Sequence, residues 1–263
     1  MSDKLIRDTD DGAYFVGYLD TPDVDRRYLL ALTGAGLLTA GGLAAGLAAL
    51  QGGAGRGEWD MATIVTRTGH LVREPYPMLQ TVDEAGRAQT ILLACDSKCG
   101  AQNKLSESDI ATDQVEVEGS LIQRGRHQMM AVVNRPDWIR PAGPEARLPD
   151  PRQFAAQSEG AVSLRGEILD SKCWFGAMRP NEGPVHKACA ILCIAGGLAP
   201  YFYSRDMLGR SRAVMITDPS GQALVQPILR HVADPVAVDG ELVRLGDLLQ
   251  IRMDPARLQV LGY

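Results

Sequence analysis

The sequence predicts one membrane-crossing helix followed by a mainly β part built as two copies of a single small module. Three observations predict it. A long uncharged apolar run lies near the N-terminus, short apolar runs alternate with polar residues from Glu58 onward, and an internal repeat of eleven residues aligns without a gap. Composition agrees: 263 residues with 45% hydrophobic and 22% charged side chains support a folded core, and exclude a disordered or collagenous chain. With 27 basic against 32 acidic residues the net charge is -5, which leaves no electrostatic footprint for nucleic acid.

The apolar run comes first. Residues 28–55 contain no charge, and Leu29 to Leu50 would form about 33 Å of helix, enough for a hydrocarbon core of roughly 30 Å. Glycines such as Gly41 and Gly42 are costly in water but frequent in membrane helices. Arg26 and Arg27 precede the run and Arg56 follows it, so the positive-inside bias places the N-terminus in the cytoplasm. The run Asp25-Arg26-Arg27-Tyr28-Leu29-Leu30, with the Gly/Ala-rich stretch behind it, resembles a bacterial twin-arginine export signal, although aspartate stands where that pattern prefers Ser or Thr. The resemblance covers about 30 residues and implies export in the folded state to the periplasmic side of a bacterial inner membrane. An ordinary single span with two topology-setting arginines is the alternative. No small-x-small cleavage site follows Ala49, so a retained signal anchor is expected. Residues 1–27 then form a cytoplasmic tail whose Tyr14, Phe15 and Tyr18 suit an interfacial anchor or a docking segment.

The modules follow. Val115 to Gly125 aligns with Val236 to Gly246, each with a central glycine (Gly119, Gly240) and a following strand-like run, and Gly69-His-Leu-Val matches Gly166-Glu-Ile-Leu upstream. A strand with a central glycine, a tight turn and a second strand are what a small barrel needs where its sheet bends sharply. The pattern resembles tandem OB-like barrels, with Val225 to Val232 as the short helix of the second. The expected domains are 56–135, a Pro-rich stiff connector over 136–158, and 159–263. Met129 and Met130 alternate in a strand, so one of them is expected in the core.

The chemistry-bearing residues cluster in the second module. His186, Cys189 and Cys193 lie on one predicted helix ended by Gly196-Gly197, within roughly 60° of one face. Cys173, at the end of a predicted strand over 163–170, is a candidate fourth ligand, making a Cys3His set suited to tetrahedral zinc; copper and iron remain open. The competing reading is a disulfide from Cys173 to Cys189 or Cys193, which an oxidising compartment favours. Cys95 and Cys99 receive no role. The tetrapeptide Asp-Ser-Lys-Cys ends at both Cys99 and Cys173, in different places relative to the strands.

Several chemistries are excluded by pattern. There is no Cys-x-x-Cys-His for c-type haem, no thioredoxin-like Cys-x-x-Cys, no phosphate-cradling glycine loop and no serine nucleophile elbow. Isolated His70, His127 and His231 read as surface or core residues, and no catalytic constellation emerges. The leading expectation is a non-catalytic subunit that docks to or stabilises a larger membrane complex such as a respiratory oxidoreductase. The second is a metal-binding or redox-active protein using Cys173, His186, Cys189 and Cys193.

Overall fold

The computed structural model describes residues 23–51, 55–204, 207 and 213–262. The aromatic tail segment at 14–19 lies outside them. The chain divides after Gln51 into two units. In the first, helix α1 spans Asp23–Gln51, and its window Asp25–Gly46 is long and apolar enough to cross a membrane. Tyr28, Leu30, Leu37 and Leu38 stand exposed on it, an arrangement that water penalises and lipid does not. Thr39 Oγ1 donates to the Ala35 carbonyl at 2.8 Å, so the helix satisfies its own hydroxyl.

The second unit is mainly β. Strands β1 (Glu58–Val72), β2 (Met78–Val82), β3 (Ala88–Ala94), β4 (Gln114–Arg124) and β5 (His127–Val132) run in the order 1-2-3-5-4, and β1 pairs again with β4 to close a five-stranded barrel. The β3–β5 pair is parallel, and the other pairs of this barrel are antiparallel. Strand β6 (Ile139–Pro141) adds to β4, and helix α2 (Gln102–Ser106) lies between β3 and β4.

The second barrel repeats this plan. Its strands are β7 (Ala156–Asp170), β8 (Pro200–Tyr203), β9 (Ala213–Thr217), β10 (Val236–Leu245) and β11 (Leu248–Met253), closed by β7 with β10, with β9–β11 parallel and β12 (Gln259–Val260) added to β10. A 3-10 turn over Gln226–His231 takes the place of α2, as the sequence predicts. The internal repeat falls on β4 and β10, the equivalent strands. Gly125 and Gly246 turn the chain at φ of 60° and 62°, where an L side chain is strained. A Cβ on Gly119 would meet the Ala131 carbonyl oxygen, and one on Gly240 the Arg252 carbonyl oxygen, so both central glycines permit close strand approach.

Three features differ from expectation. Pairing of the second module begins at Ala156, and the proline-rich stretch contains β6, so the connector is partly built into the first sheet. Both Met129 and Met130 are buried, because both faces of β5 are covered: Met130 points into the first barrel with Leu79 and Ile91, Met129 into a shared cluster with Trp174, Phe175 and Tyr201. The barrels are therefore not beads on a stiff connector; they share a core.

The second barrel also carries an insertion between β7 and β8. It opens with a π-turn over Cys173–Ala177, continues through a 3-10 turn at Pro184–His186 and ends with α3 (Lys187–Ala195). The first barrel joins β1 to β2 across residues 73–77 alone. The insertion holds every Cys and His of the predicted site.

Candidate metal centre

Helix α3 forms where Lys187-Ala-Cys-Ala-Ile-Leu-Cys-Ile-Ala supplies good helix formers, and the Gly196-Gly197 pair ends it. Ala190 and Ile194 of α3 pack into the core of the second barrel. His186 stands at the N-cap position and is buried, Cys193 is buried, and Cys189 is half-exposed. Opposite them, β7 ends at Asp170, and the chain turns at once into the π-turn that carries buried Cys173.

Ligand atoms of Cys173, His186 and Cys189 lie within 4.8 Å of one another, and a second group of Asp170, Cys173 and Cys193 meets the same limit. Cys173 belongs to both. The Cys173 and Cys189 sulfurs are 4.0 Å apart. A disulfide needs about 2.05 Å, whereas two thiolates on one tetrahedral zinc stand about 3.8 Å apart, given Zn–S bonds near 2.3 Å. All three cysteines are free thiols, so the expected disulfide from Cys173 to Cys189 or Cys193 is not the pairing adopted. The bridge joins Cys95 to Cys99, four residues apart in the loop after β3.

Asp170 organises the site. It is fully buried; one carboxylate oxygen bonds His186 Nε2 at 2.8 Å and the other accepts from the Cys173 backbone N–H at 2.8 Å. A carboxylate behind a histidine fixes the ring and its tautomer, the arrangement that commonly supports a metal-bound imidazole. Interaction with the neighbouring Cys173 thiol holds the Cys193 thiol below its usual pKa. The reciprocal interaction with Cys193, followed by burial, pushes the Cys173 thiol far up. Met178 Sδ lies 3.8 Å from Cys189 Sγ, adding a soft thioether at the half-exposed end.

The first barrel reaches over this site. Lys98 Nζ donates to Cys189 Sγ at 3.0 Å, which raises the lysine's pKa. Gly100 N–H donates to the Gly196 carbonyl at 3.0 Å and Gln102 Nε2 to the Gly197 carbonyl at 2.7 Å. In the other direction, buried Lys172 crosses to the disulfide loop and donates to the carbonyls of Cys95 at 2.7 Å and Ser97 at 2.8 Å. Its burial lowers its pKa. Both Asp-Ser-Lys-Cys copies thus meet here: Asp170, Lys172 and Cys173 from one, Lys98 and Cys99 from the other. The sequence reading found Cys173, His186, Cys189 and Cys193 but missed Asp170 and Lys98. The repeated tetrapeptide was the signal that pointed to them.

The remaining histidines stay outside the centre. His70 bonds the Pro149 carbonyl at 3.2 Å, and His231 bonds Arg230. Comparison with protein-family models, curated proteins and solved structures finds no match.

Proposed function

We propose that this is a membrane-anchored metal-binding protein that holds a thiophilic ion, zinc in the first instance, through Cys173, Cys189, Cys193 and His186. The observation that carries this reading is the 4.0 Å sulfur spacing of Cys173 and Cys189 with His186 in the same group, behind a buried carboxylate. Three thiolates and one neutral imidazole give Zn2+ a net charge of about -1, and the Lys98 ammonium at Cys189 offsets it. Such a closed set suits a structural or storage site; Met178 beside Cys189 makes Cu+ the rival ion. The reading supposes that α1 crosses the bacterial inner membrane with the barrels in the periplasm.

Elemental analysis of the full chain, extracted in mild detergent with thiols protected, tests it. One zinc per chain is expected, falling below a tenth of that in Cys189→Ser and Cys173→Ser. A metal-free protein that takes up neither Zn2+ nor Cu+ when reduced would overturn it.

The span supports a second reading, a non-catalytic subunit docked to a larger membrane complex such as a respiratory oxidoreductase, with the metal centre as a structural staple. Co-elution with other membrane subunits in mild detergent is its expected outcome, and a chain that elutes alone contradicts it.

A further inference from the structure

The thiols of the candidate centre differ in reach. Cys173 and Cys193 are 4% and 1% exposed and His186 is 3% exposed, whereas Cys189 is half-exposed. Its sulfur is flanked by Lys98 Nζ at 3.0 Å and Met178 Sδ at 3.8 Å, and both of those residues stand at the surface. A reagent arriving from solvent therefore meets Cys189 first, and a small one passes most readily between the lysine and the methionine. Oxidation is selective for thiols that solvent reaches.

Cys173 lies behind Cys189. The two sulfurs are 4.0 Å apart, so an approach of about 2 Å brings them to bonding distance. Cys193 is a poorer partner for Cys189, because both stand on α3 one turn apart. Residues so spaced hold their Cβ atoms about 5–6 Å apart, and a disulfide needs about 3.5–4.5 Å. Cys173 comes from the π-turn and is free of that constraint.

We propose that Cys189 is a site of oxidation by small hydroperoxides, that Cys173 resolves the product into a Cys173–Cys189 disulfide, and that this closure releases the metal. The Cys189 sulfur attacks one peroxide oxygen: an S–O bond forms, the O–O bond breaks, and the other oxygen leaves as water or an alcohol. The Cys173 sulfur then attacks the sulfenic sulfur, an S–S bond forms, and the sulfenic oxygen leaves as water. The two thiols supply the two electrons that reduce the peroxide, and solvent supplies two protons where they start as metal-bound thiolates. The disulfide removes two of the four ligands and leaves Cys193 and His186, too few for a tetrahedral site. The release step rests on the metal reading; the closure of Cys173 on Cys189 does not.

The test uses the full chain in mild detergent, purified without oxygen, loaded with zinc and then treated with hydrogen peroxide. Peptide mapping follows the bridge and a chromogenic chelator follows the metal. A Cys173–Cys189 bridge is expected, with zinc released in step with it, at least tenfold faster than from the untreated chain, and taken up again after mild reduction. In metal-free Cys173→Ser, dimedone is expected to capture a sulfenic acid at Cys189. Any one of five results would overturn the proposal: no bridge at millimolar peroxide, a bridge from Cys173 to Cys193, no dimedone adduct at Cys189, faster reaction with glutathione disulfide than with hydrogen peroxide, or zinc retained after the bridge has closed. A chain that takes up no zinc sinks the metal reading and the release step with it, and the mapped bridge in that metal-free chain then decides the closure by itself.

Discussion

Asp170 shows how much one buried carboxylate does here, because it holds the His186 ring with one oxygen and the first backbone N–H of the π-turn with the other. Asp170→Asn keeps the shape but removes the charge behind the imidazole, and is expected to weaken zinc about 10–100-fold in a competition titration with a chelator. His127 makes a different prediction. Its ring packs against Trp174, Phe175 and Tyr201, with centroids 5.2 to 6.1 Å away, and burial pushes its pKa down to about 4. The unfolded chain, with a histidine pKa near 6.5, then binds more protons than the folded one between those values. Stability is therefore lost as pH falls from about 6.5 to about 4, by on the order of 3 kcal/mol at the lower end. Denaturant midpoints against pH should show this slope in the wild type and a flatter one in His127→Gln.

At the scale of elements, the two barrels were legible because their equivalent strands carry local marks. Gly119 and Gly240 sit where a neighbouring carbonyl leaves no room for Cβ, and Gly125 and Gly246 sit where φ is positive, so the same residue recurs at the same register. Gly119→Ala is expected to cost about 1–3 kcal/mol, seen as a drop of several degrees in melting temperature. Gly143→Ala, whose Cβ meets nothing within 4 Å, should change little. The helix α3 was equally legible, since its ligands and its Gly-Gly stop are local. The start of β7 was not: the sequence suggested a strand over 163–170, whereas pairing with β10 extends back to Ala156 through residues whose side chains are mostly exposed.

At the scale of the whole molecule, the docking of one barrel on the other left no periodic trace. Lys98 and Cys189 are 91 positions apart and Lys172 and Cys95 are 77 apart, so no window of sequence contains both partners. Met129 could not be assigned for the same reason, because the surface that buries it belongs to the other barrel. Lys172 is the clearest lever on this docking: it is 3% exposed, gives two hydrogen bonds to the disulfide loop and lies 4.8 Å from the Trp59 ring. Lys172→Met is expected to cost about 2 kcal/mol. It should also speed hydrogen exchange in residues 95–100 while the strands of each barrel stay protected. A Cys95→Ala/Cys99→Ala chain should keep both barrels but let iodoacetamide modify Cys189 faster, because the loop that carries Lys98 loses its clasp.

The spacing of the bridge has a consequence for how a new chain matures. Of the five cysteines, the pair separated by four residues meets far more often than any pair from different barrels. Once Cys95 and Cys99 have found each other, the remaining three meet no disulfide partner from the first barrel.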